Sequence, residues 1–380
     1  MILILIILIF LLNLEPLHAK IDSIYFKPIL INKNYVLEEN FARSYDKKTN
    51  FELGIKAKHN FLKDLNIYLN PELINGNVKL LEGYLDIDIR NIKITLGKKT
   101  LWFGPGLHSS MLLSNNTEPF KLGMLSNNKP TVLPYLGKTK FFWFLTRLEE
   151  DRVIPNPYLT GIRVNFTPFK IFNFSLNRVI IFGGDGREKL SISDYWKVFL
   201  ASHENEPGKL DNNQLAGFDF SIELSNYLPI IKSFTIYGDF VGEDEAGGLP
   251  CKWGRLYGVS TSFGKTNLIL EYANNSVKNA RCYFYKHHIY RNGYTYKGRV
   301  IGHHMGTDAE DLYLNIDYDL GIAILALEYD IENSDLFSNS IKTKKRYKVK
   351  IKNIEINNTN TSLEYYKDDG LNYFRISCDY

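Results

Sequence analysis

The stretch Leu80-Leu81-Glu82-Gly83-Tyr84-Leu85-Asp86-Ile87-Asp88-Ile89-Arg90 decides the fold. Leu81, Gly83, Leu85, Ile87 and Ile89 share one parity, while Glu82, Tyr84, Asp86, Asp88 and Arg90 share the other. Successive side chains point to opposite faces of a strand, so a sustained period of two means an extended element with one greasy and one charged face. The pattern recurs outward along the chain. Ala216, Phe218, Phe220, Ile222 and Leu224 oppose Gly217, Asp219, Ser221 and Glu223. Leu312, Leu314, Ile316 and Tyr318 oppose Asp311, Tyr313, Asn315, Asp317 and Asp319. Weaker copies lie in Phe51–Lys58, Leu65–Leu69, Phe172–Asn177, Phe234–Phe240 and Tyr347–Ile351.

The solvent each face meets follows from strand length. A soluble sandwich, the alternative reading, packs its apolar faces together and uses strands of about 5–6 residues. Many staves here reach about 9–11 residues, the length that crosses a bilayer when tilted. Backbone groups in lipid must be paired internally, so a sheet that spans has to close on itself. The predicted fold class is therefore all-β: a transmembrane antiparallel β-barrel of 16–18 strands. Sixteen staves are read between residues 51 and 380, and Tyr283–Tyr296 is a candidate for two more. An even number puts both termini at one end, taken as periplasmic. The short turns Asn75-Gly76-Asn77, Phe169-Lys170, Gly264-Lys265, Asp319-Leu320-Gly321 and Asn353 are assigned to that end, and the long connections near 183–213, 242–253 and 274–307 to the cell exterior. Residues 99–138 break this asymmetry: they read as a long periplasmic-side loop folded into the lumen as a plug or constriction, with Trp102, Phe103 and Pro105 at its bend.

Composition agrees and excludes other classes. Among 380 residues, 27 Gly, 13 Pro and 3 Cys rule out collagenous, disordered and disulfide-scaffold chains. A net charge of +4 from 46 basic and 42 acidic residues is too evenly mixed to argue for nucleic acid. Met1–Leu12 is an apolar run of signal-peptide length, with cleavage expected after Ala19. The expected organisation is a signal peptide over 1–19, a short periplasmic segment over 20–50 and the barrel over 51–380. Cys251 and Cys282 are candidates to pair, leaving Cys378 over; three unpaired thiols are an equal reading. The final stretch Asn372–Tyr380 alternates and ends on an aromatic, like the C-terminal strand through which outer-membrane barrels engage the assembly machinery. Outer-membrane lipids are the other expected partner.

No motif carries catalysis. His108-Ser109-Ser110 places a base beside hydroxyls, but sequence neighbours need not meet in a hydrogen bond, and no Gly-x-Ser-x-Gly elbow occurs. His287-His288 and His303-His304 lack a carboxylate or Cys at metal-ligand spacing, so no metal and no cofactor is expected. The acidic glycine-rich loops 183–188 and 242–250 suit Ca²⁺ in residue type, though not in spacing, and solvated loops are the simpler reading. Loop aromatics are more telling. Trp196, Trp253, Tyr290 and Tyr294, with Arg187 and Asp244, are the candidate glycan contacts: a ring stacks on the apolar face of a sugar while charged neighbours bond its hydroxyls. The alternative for such aromatics is the interfacial girdle of any membrane barrel.

In order and combination, Leu101–Gly106 (LWFGPG), Leu113–Asn116 (LSNN), Phe182–Glu188 (FGGDGRE), Glu206-Pro207-Gly208, Asn213–Phe220 (NQLAGFDF), Tyr237–Pro250 and His287–Asp308 (HHIYRNGYTYKGRVIGHHMGTD) resemble the Wzi family of capsule-assembly outer-membrane proteins. The resemblance covers roughly residues 50–320. It implies a barrel of about eighteen strands in the bacterial outer membrane, a lectin that holds capsular or other surface polysaccharide on the cell, and no catalytic residues. Family members carry a helical periplasmic segment ahead of the first strand, whereas Lys20–Asn50 shows no helical period. The competing expectation is a diffusion channel for polysaccharide or small solutes, which a filled lumen would preclude.

Overall fold

A computed structural model of the protein describes residues 19–380 except 200–207, 229, 247–248, 278–282, 339 and 358. Residues 1–18 of the predicted signal peptide therefore lie outside the described residues, as do Cys282 and the side chain of Cys251; Cys378 is free.

The chain forms β1 (Ala19–Ile31), β2 (Tyr35–Val36), β3 (Ser44–Tyr45), β4 (Lys48–Leu62), β5 (Leu65–Ile74), β6 (Asn77–Ile89), β7 (Ile92–Lys99), β8 (Phe120–Asn127) and β9 (Thr131–Leu133). It continues through β10 (Gly137–Arg147), β11 (Tyr158–Phe169), β12 (Phe172–Phe182), helix α1 (Ile192–Phe199), β13 (Asn213–Glu223), β14 (Ile231–Ala246), β15 (Leu249–Phe263) and β16 (Thr266–Asn274). It ends with β17 (Thr295–Tyr296), β18 (Arg299–Val300), β19 (Ala309–Asp319), β20 (Ile324–Ser334), β21 (Lys342–Ile356), β22 (Thr359–Lys367) and β23 (Asn372–Asp379). Eighteen of these pair antiparallel with their neighbours in chain order, and β23 pairs with β1 to close the ring. The remaining strands are short: β2 pairs with β3, β17 with β18, and β9 extends the edge of β10.

Two barrel strands escape the alternation pattern, β1 and β8, and the count of eighteen comes from them rather than from Tyr283–Tyr296. Lys20–Asn50 is thus not a segment ahead of the barrel; it contains the first stave and the start of the second. Both missed strands are apolar on their inward faces as well. Phe120, Leu122 and Met124 of β8 are buried against loop residues in the lumen, and so are Ile29 and Ile31 of β1. Polar–apolar contrast needs a wet lumen, and here loops dry it.

Omitting β1 inverts the direction of every strand until β8 restores the phase. Asn75-Gly76 and the loop 100–119 therefore lie at the end opposite the termini. That end carries all the long connections: 32–47, 100–119, 148–157, 183–212 and 275–308. The end bearing the termini has only short turns, apart from the β9 hairpin, so no asymmetry is broken.

On the outer wall Phe51, Leu96, Leu176, Leu270, Leu312 and Phe374 stand exposed, an apolar surface that suits lipid. Phe174, Phe218, Phe240 and Tyr257 form a row across β12–β15, with successive ring centroids 6.0, 5.1 and 5.4 Å apart. The inner wall is charged and paired. Lys348 and Lys350 each reach Glu328 at 2.8 Å, Lys352 reaches Asp317 at 3.0 Å, and Arg163 holds Asp219 at 2.6 Å. In the deciding stretch, Thr100 donates to Glu82, as a lumen-facing carboxylate should allow. One position departs from its parity: a register shift opposite Asn70 and Pro71 turns Leu81 inward beside Glu82, and leaves Leu80 exposed.

The lumen is occupied by chain. Leu101, Phe103, Met111, Leu112 and Leu113 are buried in one apolar cluster with Phe144, Val241 and Leu256 of the wall and Tyr285, Tyr290 and Tyr294 of the loop 275–308. Polar contacts fix the same segment around the ring. Met111 N donates to Asp239 at 3.1 Å, His108 N donates to Glu271 at 3.2 Å, and Ser114 N donates to the Ile301 carbonyl at 3.1 Å. The loop 32–47 joins them: Phe41 N donates to the Asn115 carbonyl at 2.7 Å, and Ser109 and Ser114 hydroxyls donate to Glu39. Gly104 has φ +151°, and a Cβ there would strike Ser110 and Asp239, so only glycine lets the bend lie against the wall.

Candidate functional site at the long-loop end

Over the plug, the loops form an exposed cleft of about 440 Å³, lined by Arg147, Tyr158, Gly183–Leu190 and Tyr195. Its far wall is α1, which alternation could not reveal. The helix starts on a reciprocal cap: Asp194 N donates to Ser191 Oγ at 3.3 Å, and Ser191 N donates to Asp194 Oδ2 at 2.8 Å. Ser191-Ile192-Ser193-Asp194 is the sequence signature of that cap, read three residues apart. Lys209 donates to the same carboxylate at 2.8 Å, and together with the Ser191 hydroxyl and amide it holds Asp194 well below the usual carboxylate range. Val198 packs inward with Ile180 and Phe182. Tyr195 lines the cleft and is 44% exposed, and Trp196, the next residue of α1, is 62% exposed but is not part of the lining.

The loop 183–190 is braced rather than free. Arg147 Nη2 meets Asp185 at 2.8 Å, and Asn156 donates to the same carboxylate at 2.7 Å. Arg187 donates to the carbonyls of Gly208 and Asp211 at 2.8 and 2.9 Å, and its guanidinium lies over the Tyr290 ring at 5.7 Å. The Tyr290 hydroxyl donates to the Gly183 carbonyl at 3.1 Å; burial raises its pKa, against the pull of Arg187.

The six predicted glycan contacts thus separate. Arg187 lines the cleft and Tyr290 packs beneath it against Arg187 and Gly183, while Trp196 stands exposed on α1 outside the lining. Tyr290 and Tyr294 are 2% and 0% exposed, so neither presents a ring to solvent: both hydroxyls and faces are spent on internal packing. Trp253 sits half-buried on β15 opposite Gly242, away from this cleft, and the side chain of Asp244 lies outside the described residues. Of the predicted plug residues, Phe103 is 3% exposed and meets Phe144 edge-on at 5.8 Å, while Trp102 and Pro105 are half-buried. Arg147 and Tyr158 line the cleft without a sequence signal, because they approach it from strand ends. The hydroxyls of Ser109 and Ser110 donate to Glu39 and to the Phe103 carbonyl, not to His108.

Comparison with known proteins agrees with this architecture. The sequence profile of the capsule assembly protein Wzi family matches residues 31–350. An uncharacterized 55.8 kDa protein in the cps region of Klebsiella pneumoniae is 31% identical over 196 residues, which is 49% of this chain and 37% of that protein. Wzi of Escherichia coli, an outer membrane protein involved in group 1 capsule assembly and a carbohydrate-binding β-barrel, superposes with a TM-score of 0.76 at 19% identity, over 95% of this chain and 84% of that one. OpdQ of Pseudomonas aeruginosa superposes less well, with a TM-score of 0.57 at 10% identity over 95% and 97% of the two chains. An eighteen-stranded barrel with a folded-in plug, and a family profile running from the first strand to the twenty-first, put the chain in the outer membrane and make it a member of the Wzi family of capsule assembly proteins.

Proposed function

We propose that this barrel is a surface lectin, with its long-loop end outside the cell, where it holds capsular or other surface polysaccharide. The observation that carries this reading is the conjunction of a filled lumen with an open, aromatic and charged cleft above it. Tyr195 in the cleft and the exposed Trp196 beside it in sequence offer apolar faces to sugar C–H groups, while Asp185 and Glu188 accept from sugar hydroxyls and Arg147 donates to hydroxyls or to the carboxylates of an acidic polymer. Lipid contacts the apolar outer wall, and the assembly machinery reads the strand ending at Tyr380. Binding at one cleft is weak, and retention comes from many polymer repeats engaging many copies of the protein.

A binding assay with the purified barrel and the host's own surface polymer tests the reading. Trp196→Ala and Arg147→Ala are expected to weaken retention of the polymer without altering barrel stability. Deleting the gene should move polysaccharide from the cell-bound to the shed fraction. An unchanged distribution, with unchanged polymer binding in both variants, would reject the lectin role.

A further inference from the structure

Inside the barrel, four side chains from four separate elements converge on one point. His108 comes from the plug, His304 from the loop 275–308, Asp311 from β19 and Asp330 from β20. His304 Nε2 lies 3.3 Å from Asp311 Oδ2 and 4.0 Å from Asp330 Oδ2, and His108 Nε2 lies 3.4 Å from Asp330 Oδ2 and 3.9 Å from Asp311 Oδ2. A tetrahedral ion with ligands at about 2.0–2.1 Å holds its ligand atoms about 3.3–3.4 Å apart. Two of the four separations already match that spacing, and the other two exceed it by about half an ångström.

The side chains of His304, Asp311 and Asp330 are 1%, 2% and 7% exposed. Among the described residues, both ring nitrogens of His304 and Asp311 Oδ1 make no hydrogen bond of proper geometry, although carboxylate oxygens stand near both nitrogens. Buried polar atoms in native proteins are nearly always satisfied, so a histidine with no proper hydrogen bond at either nitrogen implies a missing partner. Two carboxylates facing each other away from water need a shared proton or a cation between them. The surroundings are arranged as an outer shell. Arg346 Nη1 takes Asp330 Oδ1 at 3.0 Å and leaves Oδ2 pointing at the histidines. Glu39 Oε1 stands 3.4 Å from His304 Nδ1, and the His108 ring stacks on Tyr313 at 3.7 Å. A carboxylate behind the distal nitrogen is the usual way a metal-binding imidazole is oriented. His108, His304 and Asp330 also line a cavity of about 310 Å³, which gives an ion a route in.

We propose that His108, His304, Asp311 and Asp330 bind a divalent transition ion of the zinc type, which staples the plug and the loop 275–308 to the barrel wall. Two imidazoles and two carboxylates around a small tetrahedral point favour zinc or cobalt over Ca²⁺ and Mg²⁺, which take more oxygen ligands in larger shells. The site is independent of glycan recognition, because none of its ligands lines the outer cleft.

Titration of the detergent-solubilised full-length barrel with Co²⁺ reads the geometry directly. The expected result is about one ion per chain, with the intense visible bands of tetrahedral cobalt, abolished by Zn²⁺ and untouched by excess Ca²⁺. His304→Ala and Asp311→Asn, each confirmed as folded by heat-dependent migration, should lose the bands. Glu39→Gln should weaken affinity by about 10–100-fold, as outer-shell changes do. Added Zn²⁺ should raise the unfolding temperature of the wild type but not of His304→Ala. Absence of cobalt bands in the folded wild-type barrel would overturn the proposal, and so would bands that persist unchanged in both ligand variants.

Discussion

The Tyr294 hydroxyl donates to the Leu112 carbonyl at 2.9 Å, and the Tyr285 hydroxyl serves Met111 next to it. These two rings, stacked with centroids 5.5 Å apart, tie the loop 275–308 to the plug. Removing one hydroxyl leaves a buried carbonyl without its donor, at a cost of about 1–3 kcal/mol. Tyr294→Phe should therefore lower the unfolding temperature while leaving polysaccharide binding intact. Trp196→Ala should do the reverse, since its ring stands 62% exposed on α1. Thermal unfolding and polymer binding measured on both variants separate the roles; a binding loss in Tyr294→Phe with no change in stability would assign that ring to the ligand instead. By sequence the two aromatics were equals, because both lie in long loops rich in Gly, Asp and Arg. Only the three-dimensional packing of the loop 275–308 onto residues 111–113 distinguishes them.

At the scale of elements, the seam where the chain ends meet is the point of leverage. β1 pairs with β4 on one side and β23 on the other, and Tyr380 exchanges backbone hydrogen bonds with Ile24. Gly54 of β4 lets the Tyr25 ring of β1 lie flat across it, so that the Tyr25 hydroxyl reaches Asn70 at 3.1 Å, and Glu72, on β5. A Cβ at Gly54 would collide with that ring. Gly54→Ala should cost about 1–3 kcal/mol, the usual range for overpacking, and reduce the heat-resistant folded fraction on electrophoresis. Normal assembly of that variant would show that the ring can move and that the seam does not depend on it. α1 carries a pH prediction. Its cap carboxylate, Asp194, is held low by Lys209 and Ser191, so it stabilises the helix above the ordinary carboxylate range and loses that contribution only as pH falls through its depressed value. Polymer binding through α1 should therefore stay flat from neutral pH down into the ordinary carboxylate range. A fall in binding at mildly acid pH that is absent in Asp194→Asn would contradict this.

At the scale of the whole molecule, a barrel of this size encloses room for a water channel unless something fills it. Here three loops from one end pack into it and join residues from Leu37 to Ile301 in apolar clusters with the wall, leaving beside them a lumen cavity of about 580 Å³ lined by Tyr25, Arg43, Glu82, Glu364 and Arg375. The intact protein should show no stable large conductance in planar bilayers. Replacing residues 101–117 with a short Gly–Ser linker should open one. A steady conductance from the intact barrel would restore the diffusion-channel reading.

What the sequence determined by itself was the class of fold, the membrane it sits in and the family it belongs to. Strand alternation is a local property, dictated by which solvent meets each face, and it survives in any linear reading. It failed at β1 and β8 for a physical reason: their inner faces meet loops instead of water, so apolar residues stand on the inward parity and the polar–apolar contrast is lost. That single loss carried the plug to the wrong end of the barrel. The cap of α1 was written in Ser191 and Asp194 and could have been read. No local pattern could have joined His108, His304, Asp311 and Asp330. Their ligand atoms lie on four elements, and closure of the ring and infolding of the loops brought them together.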